Sequence, residues 1–185
     1  MANKITCLRV FVASPGGLAD ERKAFREEIQ DYNEAEAIPR GVLFQPIGWE
    51  DTLGAVGRPQ TIINEDVRAS DYFVLLLWNR WGSPPDALPS SFTSVTEEEY
   101  DIAMKCYNSE EFPMRRLVMM FKSVDPQQLS DPGPQLQKVL EFRKNVGRSE
   151  GVRPDIWVFQ SRLPTRHGRL TLIPTCVPLC SFISR

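Results

Sequence analysis

Three consecutive glutamates, Glu97 to Glu99, are the residues of this sequence whose type and position best suit chemistry. They lie in the stretch SVTEEEYDIA (94–103), just ahead of an apolar pattern with helical spacing. A carboxylate can transfer a proton, stabilise a developing positive charge or hydrogen-bond the hydroxyl groups of a sugar. Which of the three can act in this way depends on the helix that carries them.

Helical geometry, at about 100° per residue, separates the three glutamates. The apolar face of the predicted helix consists of Tyr100, Ile102, Ala103, Met104, Cys106 and Tyr107. Glu99 projects between Ala103 and Cys106, inside the apolar arc, whereas Glu97 falls at its margin and Glu98 points away. A carboxylate held over an apolar face has a raised pKa, which suits proton transfer or ribose recognition. Glu99 is therefore the predicted functional residue.

A purely structural interpretation of the same stretch competes with this one. Thr96 followed three residues later by Glu99 matches a capping box, in which each side chain bonds a backbone amide of the first helical turn. Glu97 and Glu98 would then favour the positive end of the helix dipole by about 0.3–1 kcal/mol each. The sequence leaves both interpretations of Glu99 open.

Composition excludes several classes of function. The chain has 185 residues, which suits one domain, and a formal net charge of -2 without a basic stripe, which argues against a nucleic-acid partner. Four cysteines without a CxxC pair and a single histidine, His167, make a poor metal set, so we predict no metal site. The lone histidine also argues against Ser-His-Asp and Cys-His catalysis. Carboxylates are the remaining acid/base groups.

The N-terminal stretch and the apolar runs bear on location. The start, MANKITCLRVFVAS, enters a strand-like run without a signal-peptide pattern. The longest apolar run, YFVLLLW, is too short to span a bilayer. We therefore expect a cytoplasmic protein with no membrane partner.

Alternating strands and helices must position these residues. Apolar runs predict five strands at 7–14, 42–49, 71–78, 116–122 and 155–161. Helical patterns separate most of them, at 18–33, 97–108 and 134–146, and Pro59 suits the first turn of a further short helix within 58–70. This alternation predicts a flavodoxin-like three-layer α/β fold with a five-stranded parallel sheet. Pro46 within the second run suggests an edge strand or a bulge.

The chain divides into a domain, residues 1–161, and a different C-terminal tail, residues 162–185. The tail has four arginines, three prolines and no acidic residue, and it shows no clear helical period. An irregular wrap, a disordered end and an altered reading frame all remain open. We assign the tail no function.

Ligands of doubly wound sheets bind outside the carboxyl ends of the strands. The first three predicted strands end in SPGG (14–17), WED (49–51) and WNRWG (78–82). The small residues Ser14 and Gly16 allow close approach to a phosphate or ribose, although a plain strand-to-helix loop has the same composition. Trp81 could stack on a flat ring or could pack in the core, and Arg80 could neutralise a phosphate.

Four segments in order, VFVASPGGLADERKAFREEI, WEDTLGAVGRPQTIIN, SDYFVLLLWNRWGSP and SVTEEEYDIAMK, resemble the domain-of-unknown-function family DUF4062. The resemblance covers roughly residues 8 to 160. It implies a TIR-like domain, of a kind often fused to the N-terminus of large bacterial signalling ATPases linked to defence. The tail departs from the family pattern, in which a helix usually follows.

The resemblance extends to TIR domains and nucleoside deoxyribosyltransferases, some of which cleave an N-glycosidic bond with a glutamate on the helix after the third strand. TEEEYDIA is similar to the transferase pattern and places Thr96, Glu99 and Ala103 on it. The glycine that usually follows the glutamate by two positions is Asp101 here, and Glu97 remains a substitute.

The resemblance thus implies Glu99 as the catalytic residue. The convergence of the strand ends predicts Ser14, Gly16, Trp49 and Trp81 as binding residues near Glu99, and the matched motif adds Thr96 and Glu97. The resemblance implies NAD as a substrate and no cofactor besides.

Two functional hypotheses remain. The first is an N-glycosidase acting on NAD or a related nucleotide. The second is a non-catalytic module that self-associates or serves a fused signalling ATPase, since a shared fold does not establish activity. Binding of a nucleotide signal without cleavage lies between them. An open cleft in which Glu99 lies beside Ser14 and Trp81 favours the first hypothesis. A Glu99 that bonds the cap amide of its own helix, with no cavity nearby, favours the second.

Overall fold

The computed structural model describes residues 4–48, 59–85, 90–146, 154–161 and 172–174. Its strands are β1 (Thr6–Ala13), β2 (Val42–Ile47), β3 (Tyr72–Leu77), β4 (Arg116–Lys122), β5 (Asp155–Ser161) and β6 (Leu172–Pro174). Its α-helices are α1 (Ala19–Tyr32), α2 (Pro59–Arg68), α3 (Val95–Tyr107), α4 (Pro126–Ser130) and α5 (Pro134–Val146). The five predicted strands and four predicted helices are all present, with boundaries that differ by at most two residues.

The strands form one sheet in the order β2-β1-β3-β4-β5-β6. The first five are parallel to their neighbours, and β6 is antiparallel to β5. This order confirms the predicted flavodoxin-like α/β fold. The edge position of β2 also agrees with Pro46, which has no amide hydrogen to donate to a second neighbouring strand.

The sheet is covered on both faces, which explains the continuous apolar run of β3. Phe73, Leu75 and Leu77 point into the layer under α2, α3 and α5. Val74 and Leu76 point into the layer under α1. Because successive side chains of a strand point to opposite faces, a strand buried on both sides must be apolar throughout.

Two helical features were not predicted, the short helix α4 and an extension of α1. After α1 the chain continues through a π-helical turn, Asn33–Ala37, and a 3₁₀ turn, Ile38–Arg40. The buried amide of Asn33 donates to the carbonyl oxygen of Phe44 (2.7 Å) and accepts from its backbone amide (2.8 Å). These bonds satisfy backbone groups of edge strand β2, so a tertiary contact accompanies the helical extension.

The C-terminal segment contributes β6, which pairs with Phe159–Ser161 and adds a sixth strand. The remainder of the predicted tail, 162–171 and 175–185, lies outside the described residues. Within the described part of the chain, no helix has the length and apolar character needed to cross a membrane.

Candidate functional site

A cavity of about 610 Å³ lies at the carboxyl edge of the parallel sheet, and we call it the main cavity. The loops after β1 and β3 and the N-terminal turns of α3 and α5 converge there. Its lining includes the side chains of Ser14, Arg80, Thr96, Glu99 and Gln135 and the backbone of Gly16 and Gly82. The site therefore forms where ligands of this fold class are expected to bind.

Helix α3 is capped by residues other than the predicted pair. The hydroxyl of Ser94, the N-cap residue, accepts a hydrogen bond from the backbone amide of Glu97 (3.1 Å). The Glu97 carboxylate accepts from the backbone amide (2.6 Å) and the hydroxyl (2.9 Å) of Thr93. The predicted capping box of Thr96 and Glu99 is therefore wrong. The helix begins at Val95, so those two residues already lie inside it.

Glu99 lies on the buried face of α3, as predicted, with Ile102, Ala103 and Cys106. Its side chain lines the main cavity, and the residue is only 5% exposed. Among the described residues, none forms a hydrogen bond or an ion pair with its carboxyl group. Burial raises the pKa of Glu99 from 4.5 to about 8, and the neighbouring Glu98 carboxylate contributes to this rise. The carboxyl group is therefore mostly protonated at neutral pH.

Glu98 does not point away from the protein, which corrects the prediction from helical geometry. Its carboxylate accepts a hydrogen bond from the side-chain amide of Asn64 (2.9 Å), and Asn64 in turn accepts from Gln60 (2.9 Å). Both partners belong to α2, which packs beside α3. A single-helix projection misses such a contact because it contains no information about the neighbouring helix.

Ser14 and Gly16 form the side of the main cavity next to α1. The Ser14 hydroxyl oxygen accepts a hydrogen bond from the guanidinium of the buried Arg22 (2.7 Å). Its own hydrogen therefore remains available to a ligand in the cavity. A Cβ placed on Gly16 would have no described atom within 4 Å, so the backbone there is open to close approach.

Gly82 brings three parts of the site together. Its φ angle of +110° favours glycine, and a Cβ built there would lie 3.4 Å from the Thr96 hydroxyl oxygen and 3.6 Å from the Pro15 Cβ. The loop after β3 thus packs closely against both the loop after β1 and the start of α3. Any other residue at position 82 would strain the backbone at this φ angle.

Gln135, on the first turn of α5, was not predicted as a site residue. Its side-chain oxygen accepts from the backbone amides of Trp81 (2.8 Å) and Gly82 (3.2 Å), which fixes the loop after β3. The order of the strands in the sheet could have indicated its position. Helix α5 follows β4, the neighbour of β3, so its N-terminal turn lies at the same edge of the sheet.

Arg80 and Glu99 are the charged side chains among the described residues that line the main cavity. The Arg80 side chain passes over the turn before α1, since a Cβ on Gly17 would lie 3.9 Å from its Cδ. Within the described structure its guanidinium forms neither an ion pair nor a hydrogen bond. It is exposed and free to neutralise an anion.

Two of the other predicted binding residues, Trp81 and Glu97, do not line the main cavity. Trp81 is 4% exposed and packs in the core, with its ring 5.0 Å from that of Phe142 and its indole nitrogen donating to Thr93 (2.7 Å). Of the two interpretations of Trp81, stacking on a ligand and packing in the core, its position agrees with the second. Glu97 is engaged at the helix cap, and Trp49 lies outside the described residues. The structure therefore brings together Ser14, Gly16, Thr96 and Glu99, but not Trp81 or Glu97.

Among the described residues, the main cavity combines the cation of Arg80, the carboxyl group of Glu99, hydroxyl groups and a side-chain amide. This set can bind a phosphate through Arg80 and a sugar through Glu99 and the hydroxyls.

Comparison with known proteins bears on the family. No curated protein gives a match to the chain. The family profile described as Domain of unknown function (DUF4062) matches residues 9–161, which span β1 through β5 except for the first three residues of β1. The chain therefore belongs to the DUF4062 family.

Proposed function

We propose that this domain is a TIR-like N-glycosidase that cleaves the bond between ribose and base in NAD or a related nucleotide, with Glu99 as the catalytic residue. The observation that carries the proposal is the buried Glu99 carboxyl group, which lines the main cavity without a hydrogen-bond partner among the described residues. The family resemblance supports the reaction type and a role in bacterial defence signalling.

The position of Glu99 is costly for folding and has no evident structural purpose. Burial penalises the charged form of its carboxyl group, so the folded protein loses stability when Glu99 ionises. Ser94 and Glu97 already cap the helix, so α3 does not require Glu99 there. Destabilising groups of this kind concentrate at functional sites.

The proposed reaction breaks the C1′–N bond of the nicotinamide riboside. Nicotinamide leaves with the bonding electron pair as a neutral molecule, and positive charge develops on the ribose. The ionised Glu99 stabilises this charge or captures C1′ covalently. Water then supplies the hydroxyl group at C1′ and releases one proton, so that NAD and water yield ADP-ribose, nicotinamide and a proton.

The pKa of Glu99 favours a cationic substrate. At pH 7 the carboxyl group is mostly protonated, because burial raises its pKa to about 8. A positively charged nicotinamide ring beside it lowers that pKa and favours the carboxylate form that the reaction needs. A nucleoside with a neutral base provides no such charge, so we expect NAD to react faster than a neutral nucleoside.

Nicotinamide release from NAD, followed by chromatography, tests this proposal. The wild type should release nicotinamide, and Glu99→Gln should reduce the rate by about 10²–10³-fold, the range for loss of one electrostatic stabiliser. Glu97→Gln is the matched control, because it changes the same residue type in the same helical turn at a position engaged in capping. Its rate should stay within a few fold of the wild type.

Two outcomes contradict the proposal. One is the absence of release from wild-type protein at high concentration, in both monomeric and oligomeric or crowded preparations. The other is equal release from wild type and Glu99→Gln. Retention of NAD without release would instead assign the domain to nucleotide binding without cleavage.

A further inference from the structure

A second cavity of about 310 Å³ lies beside the main cavity at the same edge of the sheet. Its lining includes Asn79, Gln128, Asp131, Pro134, Gln135 and Leu136. Gln135 lines both cavities, and the consecutive residues Asn79 and Arg80 line the second and the main cavity respectively. The two cavities therefore meet at Gln135 and at the end of β3.

The boundary between the cavities is polar, and two hydrogen bonds hold part of it in place. The Gln135 side-chain oxygen is held by the backbone amides of Trp81 (2.8 Å) and Gly82 (3.2 Å). With its oxygen fixed in this way, the NH₂ group of the same amide is left as a donor, and it has no partner among the described residues. Arg80 adds a positive charge on the main-cavity side. A ligand that spans both cavities must pass the Gln135 NH₂ group and the Arg80 guanidinium, and both can donate hydrogen bonds to a phosphate.

The second cavity has a different chemistry. Among the described residues, no lysine or arginine lines it, so it does not suit a phosphate group. Asn79 and Gln128 carry side-chain amides, which pair with the donor and acceptor edge of a nucleobase. Asp131 makes no hydrogen bond or ion pair with the described residues, and a free carboxylate at such a position can accept from ribose hydroxyls. These groups together suit a nucleoside.

We propose that the second cavity binds the nucleoside half of a dinucleotide that is remote from the cleaved bond. Asp131 accepts from the ribose hydroxyls, Asn79 and Gln128 bond the base, and the connecting phosphates lie by Arg80 and Gln135. This inference rests on the proposed function for the identity of the half that reacts in the main cavity. It makes the preferred substrate class a dinucleotide rather than a mononucleotide.

The sizes of the two cavities agree with this division. Ligand pockets typically measure roughly 300–1,000 Å³, so each cavity is large enough to hold part of a nucleotide. A mononucleotide that reacts beside Glu99 would fill the main cavity and leave Asp131 without a contact.

Binding measurements on the Glu99→Gln variant test the inference without turnover. Isothermal titration with NAD, nicotinamide mononucleotide and AMP gives the affinity of the whole ligand and of each half. We expect NAD to bind at least about 10-fold more tightly than nicotinamide mononucleotide. Adding Asp131→Ala should weaken NAD and AMP by about 10- to 100-fold, the range for hydrogen bonds to a charged group, and leave nicotinamide mononucleotide unchanged.

Asp131→Asn and Glu141→Gln complete the variant set. Asp131→Asn keeps the shape of the side chain and should weaken NAD less than the alanine variant. Glu141 lies exposed on α5 outside both cavities, so its variant should bind all three probes like the parent.

Equal affinities for NAD and nicotinamide mononucleotide, an equal loss for both in Asp131→Ala, or no binding of NAD and AMP would each overturn the inference. Its failure is distinct from failure of the proposed function. Nicotinamide release with no effect of Asp131 leaves the function standing and removes the inference. If NAD binding depends on Asp131 but the wild type releases no nicotinamide, the inference stands and the proposed function fails.

Discussion

Replacing Glu99 by glutamine should stabilise the protein, and the gain should grow with pH. The Glu99 carboxyl group has a pKa of about 8 in the folded protein against an ordinary value of 4.5, because it is buried. Below pH 4.5 both states hold the proton, so the group makes no difference to stability. Between the two values the unfolded chain releases a proton that the folded chain keeps. The free energy of unfolding therefore falls as the pH rises, and the loss is complete above the folded pKa.

The magnitude follows from the two pKa values. Each pH unit between them costs about 1.4 kcal/mol, which amounts to about 3 kcal/mol at pH 7 and about 5 kcal/mol above the folded pKa. Solvent screening reduces this little, because Glu99 is only 5% exposed. Glutamine has nearly the same shape but does not ionise. With a urea dependence of about 1–3 kcal/mol/M, the unfolding midpoint of Glu99→Gln at pH 7 should be higher by about 1–3 M.

Urea unfolding followed by circular dichroism from pH 4 to pH 9 measures this effect. The two midpoints should nearly coincide at pH 4 and diverge steadily towards pH 8. Glu141→Gln, on an exposed part of α5, is the matched control and should follow the wild type at every pH. A midpoint difference between wild type and Glu99→Gln that is the same at pH 4 and pH 8 would refute the reasoning, because it would show that Glu99 titrates normally.

Two further predictions concern stability. Ser94→Ala should lower the free energy of unfolding by about 1 kcal/mol, because Ser94 is the N-cap of α3. Thr96→Ala should lower it by less. Equal losses for the two variants in urea unfolding would contradict this assignment. Lys122→Met should destabilise the protein by about 1–3 kcal/mol, because it removes the 2.6 Å ion pair between Lys122 and the buried Glu21. Adding Glu21→Gln should recover part of that loss in the same assay, and no recovery would argue against the pair.

The strands and most of the helices could be predicted because their signals are local. Apolar runs such as YFVLLL in β3 and the helical spacing of α3 follow from residues that are neighbours in the chain. The start of α3 could not be predicted in this way. Both S-V-T-E at 94–97 and T-E-E-E at 96–99 match a capping box. A tertiary bond from the Val95 amide to the Ser83 carbonyl oxygen (3.0 Å) and the complete burial of Ser94 accompany the earlier start.

Trp81 shows the same limit. Its position after β3 suits stacking on a ligand as well as packing, and the sequence does not distinguish the two. The choice depends on Phe142, which is 61 positions away in the chain and lies 5.0 Å from the Trp81 ring. Contacts of this kind form only when α5 packs against the sheet, so no local pattern reports them.

The sequence by itself determined the order of the predicted strands and helices along the chain. It also determined the face of α3 on which Glu99 lies, since both depend on short-range periodicity. Only the tertiary structure decided that a cavity lies in front of Glu99. That cavity requires the loops after β1 and β3 and the first turn of α5 to meet at one edge of the sheet. Their distance from Glu99 depends on how the layers pack, and the periodicity of one helix carries no information about that packing.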